Sequence, residues 1–314
     1  MVPHIGIVWN PSKTSHDELT AALEQALAGT DERPDVTWAE TTEDDPGRAA
    51  ADEAIAAGAR LIIAAGGDGT VRAVAERVAE DEGVELAIAP LGTGNLLARN
   101  LGVPINDLPA ALTRALSQEA TTIDLGWIEL DVDGVRRRHA FAVMAGFGID
   151  AHMITETDDD LKSRVGWLAY VESLGRAVSA SEVIGVSLTA DGADAVEATA
   201  HTLLVGNCGT VQGGITLLPD ADPSDGELDV IVLDAEGLGG WLDTMRNMLW
   251  DNGLKRLLPG ADERAQSSAS TAHHRVRALT VKLAEPREIE IDGDVVGASN
   301  RIAFEVQPGA LRVR

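Results

Sequence analysis

The chain has 314 residues, 45% of them hydrophobic, enough for two packed domains and against a disordered chain. It carries 51 acidic against 25 basic residues, a formal net charge of −26. That excess disfavours non-specific DNA or RNA binding and polybasic attachment to anionic lipid, because phosphate would be repelled. In chain order, the start MVPHIGIVWN has neither the charged nor the apolar region of a signal peptide. No apolar run reaches the ~18 residues that a membrane span needs. A cytoplasmic protein is expected. IGIVWN (5–10) reads as a strand and 15–28 as a helix. VTWAET (36–41), RLIIAAG (60–66) and ELAIAPLG (85–92) read as strands, each followed by a helix, at 46–57, 70–82 and 95–101. Apolar runs split by helices predict βαβ units, with helices on both faces of a parallel sheet.

After about residue 122 the pattern changes. TTIDLGWIELDVDG followed by RRRHAFAVMAGFG predicts strand, Asp-Gly turn, strand. The basic cluster at 136–139 reads as a solvated strand start or a headgroup contact. A helix-rich piece is expected at 151–180. Strands are expected at 183–190, 196–206, 228–234, 276–283, 287–292 and 301–306, making a second, β-rich domain. The single cysteine, Cys208, excludes an internal disulfide and a cysteine-based zinc site, and reads as a small core residue. DADPSDGE (220–227) and ERAQSSASTAHH (263–274) read as polar loops, the latter carrying His273 and His274 at the surface. Between 238 and 258, Leu238, Trp241, Leu242, Met245, Met248 and Leu249 form one apolar helical face, extended by Trp250, Leu254 and Leu257. That face reads as a core or dimer surface, or as a lid at a membrane interface.

Three strand ends carry the chemistry. A parallel strand points its carboxyl end at the free N–H groups of the next helix, where ligands of open α/β sheets collect. Gly66, Gly67 and Gly69 allow a tight turn and let phosphate approach the main chain. Asp68 between them repels phosphate unless Mg²⁺, water or a hydroxyl intervenes. Thr70 can cap the helix or touch phosphate. The next strand ends PLGTGNLLARN, where Asn95 is a helix cap or a ligand contact, and the first ends WNPSKTS. Neither G-x-x-x-x-G-K-[ST] nor G-x-G-x-x-G is present.

GGDGT, PLGTGN and NPSK together resemble the catalytic domain of the diacylglycerol kinase family, which also holds sphingosine and ceramide kinases and bacterial lipid kinases. GGDGT alone is shared with NAD kinases and phosphofructokinases. FAVMAGFGIDA, KSRVGWLAY, the block from 203 to 230 and EIEIDGD extend the likeness, in order, over nearly the whole chain. The resemblance implies an ATP-binding α/β domain, residues 1–123 closed by 305–314, and a β-rich lipid domain, 124–304. It implies nucleotide contacts at Asn10, Pro11, Ser12, Lys13, Thr14, Thr41, Gly66, Gly67, Asp68, Gly69, Thr70, Val71, Arg72, Gly92, Thr93, Gly94 and Asn95. It implies Mg²⁺ bound around Asp222, Asp225 and Glu227, partly through main-chain oxygens; the bottom-up alternative is a solvated acidic loop. It implies ATP and Mg²⁺ as cofactors, a lipid substrate met at the membrane surface, and a homodimer.

Asp68, Asp292 and Asp294 are the candidate catalytic carboxylates, with Asp294 matching the family's general base. Two positions depart from the pattern. The base of the family's Asp-Gly-Glu is here Asp294, one methylene shorter, and Leu96 stands where many relatives have an acid or Ser. The alternative for the same Asp292-Gly293-Asp294 is a type I′ hairpin turn between two strands. Three functions compete: a lipid kinase, an NAD kinase, which lacks support from any Asn-Asn-Glu segment, and a non-catalytic nucleotide or lipid sensor.

Overall fold

In the computed structural model, residues 4–30, 33–148, 183–211, 215–233 and 272–314 are described. The first four strands are β1 (Ile5–Trp9), β2 (Val36–Glu40), β3 (Leu61–Gly66) and β4 (Glu85–Pro90). They lie parallel in the order β4-β3-β1-β2. Alternate residues of each strand enter opposite cores. Ile5, Ile7, Leu61 and Ile63 pack on one side with Leu19 and Leu23 of α1 (His16–Ala26) and Leu112 of α5 (Leu108–Ser117). Val8, Ile62, Ala64 and Leu86 pack on the other with α2 (Arg48–Ala56) and α3 (Asp68–Val78). Burial on both faces is why β1, β3 and β4 read as nearly unbroken apolar runs, whereas β2, at the sheet edge, carries Thr37 and Glu40. Ser15 and Glu18 form a reciprocal cap on α1. α5 was not among the expected elements; Asp107 caps it by accepting the Ala110 N–H at 3.0 Å, with Pro109 in its first turn.

Every described element after residue 120 is a strand. β5 (Thr121–Val132) and β6 (Val135–Phe141) form the expected hairpin, and Asp133 and Gly134 take positive φ of 53° and 77°, as a type I′ turn requires. Then come β7 (Met144–Phe147), β8 (Ile184–Ala190), β9 (Val196–Ala200), β10 (Thr202–Gly206), β11 (Thr210–Val211), β12 (Ile215–Thr216), β13 (Leu228–Leu233) and β14 (Ala272–Val276). Two long strands follow, β15 (Ala278–Ile291) and β16 (Asp294–Val313). A second core fills this part, with Phe141 and Phe304 edge to face at 6.2 Å among Ile128, Val186, Leu203 and Val281.

β16 joins the two parts. It pairs with β15 and β5 antiparallel, and at its end Val313 pairs in parallel with Leu86 of β4. Glu85 accepts from both Arg312 and Arg314 at this joint. All but β11 and β12 of the described strands thereby form one sheet.

The run expected as one strand at 196–206 is two, β9 paired with β8 and β10 paired with β13, broken at His201. Two further expectations need correction. Residues 272–274 belong to β14, not to a loop, because β13 offers an edge that pairs Val230 with His274 and Ile231 with His273. The runs expected at 276–283 and 287–292 join from Ala278 to Ile291 into one strand, β15, while Val276 ends β14 and Asp292 lies in the turn; the pairing of β15 slips between Lys282 and Arg287, around Pro286, which has no N–H to give the ladder. The helices expected at 151–180 and 238–258, the KSRVGWLAY segment and residues 263–271 lie outside the described residues.

Candidate functional site

The carboxyl ends of β1, β3 and β4 share one edge of the sheet, and the turn between β15 and β16 faces them. A cleft of about 430 Å³ lies between. Asn10, Lys13, Gly67, Asp68, Gly69, Thr70, Gly92, Thr93 and Gly94 line one side. Glu290, Asp292, Gly293 and Asp294 line another, and Leu96, Met144, Leu204, Val211 and Leu217 give an apolar wall.

The glycines are needed first for packing. A Cβ at Gly92 would lie 2.7 Å from the Gly67 Cα, and one at Gly94 would lie 2.6 Å from Asp68 Oδ2. The two loops can stack only without side chains there. α3 begins at Asp68, two residues earlier than expected. Thr70 is buried inside its first turn, against Gly66, and does not cap it.

Asp68 does cap a helix, but a different one. Its Oδ2 accepts the Asn95 N–H at 2.8 Å and its Oδ1 the Leu96 N–H at 2.6 Å, at the start of α4 (Leu96–Asn100). Asn95 stands at the cap position with a left-handed backbone, φ 48°, and its side chain makes no cap bond. It closes its own loop instead, accepting from the Gly92 N–H at 2.9 Å and donating to the Gly92 carbonyl at 2.7 Å. Burial pushes the Asp68 carboxyl up to about 6, against the pull of the Leu96 and Asn95 amides and with help from the charges of Asp292 and Asp294.

Asp292 and Gly293 have φ of 49° and 92°, and Ile291 pairs with Asp294 across them, so the expected hairpin turn is present. The turn residue is also an anchor. Buried Asp292 accepts the Ala142, Val143 and Met144 N–H groups, each at 2.9 Å. Burial raises its pKa, while those amides and the Arg72 charge oppose the rise. Asp294 points outward. Its Oδ2 accepts from Arg72 Nη2 at 3.0 Å, and Arg72 Nη1 donates to the Ile291 carbonyl at 2.8 Å.

The remaining expected contacts stand behind the lining. Asn10 Oδ1 accepts from the Ser12 N–H at 2.9 Å and hydroxyl at 2.7 Å, which shapes the loop through Pro11 that presents Lys13. Thr14 donates to Glu18 at 3.0 Å, Thr41 is buried with its N–H on the Trp9 carbonyl at 2.9 Å, and Val71 is core. Gly66, Arg72 and Asn95 likewise do not line the cleft.

The apolar wall and Glu290 were not among the expected site residues, since nothing local marks a core-like residue as cleft-facing. Asn100 was missed because its partner lies 110 residues away. Its amide donates to the Thr210 carbonyl at 2.7 Å and accepts the Thr210 N–H at 3.1 Å, tying α4 to β11.

In the acidic loop, Asp222 Oδ1 accepts from the Ser224 N–H at 3.0 Å and hydroxyl at 2.6 Å, and Asp225 Oδ1 accepts the Glu227 N–H at 3.0 Å. Buried Asp124 takes the Gly226 and Gly309 N–H groups at 2.7 Å each, pinning the loop to β16. Burial raises the Asp225 carboxyl. Among the described residues no three acidic, His or Cys side chains converge as a ready ligand set. The donors are all oxygen, which fits a hard cation completed by main-chain oxygens and water.

The diacylglycerol kinase catalytic domain family matches residues 4–128, and the YegS C-terminal NAD kinase beta sandwich-like domain matches residues 142–314. A "Probable lipid kinase YegS-like" of Pseudomonas aeruginosa PAO1 is 35% identical, covering 98% of this chain and 92% of its own. A protein of the same description from Stenotrophomonas maltophilia K279a is 31% identical over 99% and 96%. A crystal structure of a diacylglycerol kinase from Bacillus anthracis str. Sterne superposes with a TM-score of 0.67 at 22% identity, covering 99% of this chain and 96% of that one, which speaks for the fold. The two-part architecture and the full-length likeness agree, and the chain belongs to the diacylglycerol kinase catalytic-domain family, among its YegS-like members.

Proposed function

We propose that the protein is an ATP- and Mg²⁺-dependent lipid kinase that transfers the γ-phosphoryl group to a hydroxyl of a diacylglycerol-like or other long-chain lipid. One observation carries the reading: a single cleft has a glycine-built half, an apolar wall and an outward carboxylate, Asp294, at their border. Bound ATP and Mg²⁺ would supply the phosphoryl group and offset its charge. The main-chain N–H groups around Gly67, Gly69, Thr93 and Gly94, with Lys13 and Asn10, would hold the phosphates. Met144, Leu204, Val211 and Leu217 would receive the acyl part. Asp294 would accept the proton of the acceptor hydroxyl, and Asp68 would set the cation and the loop register. Asp222, Asp225 and Glu227 would hold a structural cation. The nucleotide unit would be residues 1–123 with 305–314, and the lipid unit 124–304. The likeness to named lipid kinases supports this reading, as does the pairing of β16 with β4.

The test is transfer of labelled phosphate from ATP to a panel of lipid micelles, NAD and buffer, with separation of products. Label in a lipid is expected; label in NAD alone would make the protein an NAD kinase instead. Asp294→Asn should lower kcat by ~100-fold or more while ATP affinity stays near normal, as removing a general base does. Asp294→Glu should keep part of the rate. Equal rates for Asn and Asp would leave the residue a turn residue only.

A further inference from the structure

We propose that Arg72 is a positioning residue for Asp294 and not a nucleotide contact. The proposal rests on the kinase reading above, in which Asp294 takes the acceptor's proton. Arg72 lies one helical turn after Asp68 in α3, and its guanidinium reaches out of the α/β part to the β15–β16 turn. Two nitrogens of one planar group bind two different parts of that turn: Nη1 the carbonyl of Ile291 at its stem, at 2.8 Å, and Nη2 the carboxylate of Asp294 past its tip, at 3.0 Å. Paired donors on a rigid group fix direction as well as distance. The arginine side chain is 17% exposed against 53% for the aspartate, so the inner partner is held and the outer one is steered.

The grip is selective. Oδ2 of Asp294 is taken by Arg72, and an added Cβ at Gly69 would sit only 3.4 Å from it, so this oxygen is backed by the first turn of α3. Oδ1 has no hydrogen-bond partner among the described residues and is left for the acceptor. The turn is clamped from the other side by Asp292 on the amides of Ala142, Val143 and Met144. Charge makes the arginine necessary. Asp68, Asp292 and Glu290 line the same cleft as Asp294, and without a cation at the turn their repulsion would favour a rotamer of Asp294 aimed at solvent.

The experiment compares Arg72→Lys, Arg72→Met, Asp294→Asn and the Arg72→Met/Asp294→Asn double variant in the full chain. With Arg72→Met, kcat on diacylglycerol micelles should fall ~10- to ~100-fold while KM for ATP stays within ~3-fold. Lysine has no fork and should restore only part of the loss. The double variant should be no slower than Asp294→Asn alone, because Arg72 acts through Asp294. A raised KM for ATP at unchanged kcat would overturn the proposal, and so would additive losses. Hydrogen exchange at residues 289–296 and calorimetric ATP binding need no turnover. Faster exchange at the turn with unchanged ATP affinity is expected in Arg72→Met; unchanged exchange overturns the clamp. If wild type labels no lipid, the kinase reading and the positioning role fall together, while the exchange result still decides whether the clamp exists. Should the Met variant not fold, a Lys variant with full kcat overturns the proposal.

Discussion

At the residue scale the cleft carboxylates divide the work by their surroundings. Asp68 spends both oxygens on the amides of Asn95 and Leu96, and burial raises its pKa to about 6. In the free enzyme, kcat/KM should therefore rise with pH through about 6, and Asp68→Asn should flatten that limb as well as lower the rate. The same shift has a sign for stability. A carboxyl whose folded pKa lies above its unfolded value contributes most below about pH 4 and loses that contribution as pH rises through about 6. Asp68→Asn should gain on wild type in urea midpoint between about pH 4 and about pH 7. Asp292 is different. Its carboxylate satisfies three amides, and an Asn has one acceptor oxygen, so Asp292→Asn leaves at least one N–H unpaired. The positive φ is tolerated by Asn, so the loss isolates hydrogen bonding. We expect a cost of about 1–3 kcal/mol in urea unfolding. An unchanged midpoint would mean the anchor is idle.

At the scale of elements, the two glycine loops behave as one object. Each is a strand-to-helix turn, but Gly67 and Gly92 touch backbone to backbone, and Asp68 of the first holds the amides of α4 after the second. Gly92→Ala puts a methyl 2.7 Å from a backbone carbon that cannot swing away. It should lower both thermal stability and ATP affinity. Gly185→Ala in β8 is the control, because its nearest neighbour would be 3.9 Å away and its φ needs no glycine; it should leave both unchanged. The far end of α4 is tied to β11 through Asn100, so the helix links the glycine loops to the apolar wall. Asn100→Ala should raise KM for the lipid acceptor and leave that for ATP alone, as read from initial rates on micelles.

At the scale of the molecule, β16 and the charge set the terms. One twenty-residue strand runs from Asp294 at the cleft to Val313 beside β4, so the position of the cleft carboxylate and the docking of the two parts belong to the same element. A net charge of −26 opposes compaction everywhere at once. Raising NaCl from about 20 mM to about 150 mM should raise the melting temperature, and should raise activity on anionic vesicles more than on neutral micelles, because screening weakens both self-repulsion and repulsion from the lipid. A melting temperature that falls with salt would mean that attractive ion pairs such as Glu85 with Arg312 and Arg314 outweigh the net repulsion.

Residue order alone was enough for the parallel sheet, because strands covered on both faces must be apolar, as Leu61–Gly66 is throughout and Glu85–Pro90 is after its first residue. It was enough for the turns at Asp133-Gly134 and Asp292-Gly293, since few other pairs accept two positive φ values. It also brought most of the cleft together on paper, because parallel strands aim successive loops at one edge. Partners were another matter. Asn95 reads as its own helix cap, yet Asp68, 27 residues earlier, does the capping. Arg72 reads as part of a phosphate loop, yet it binds a carboxylate 222 residues away. β14 reads as loop until the free edge of β13 is there to pair it. Periodicity and turn chemistry report what a segment can do with its own neighbours, whereas a hydrogen bond across the fold depends on register and on which distant side chains the packing brings together, and only the tertiary structure decides that.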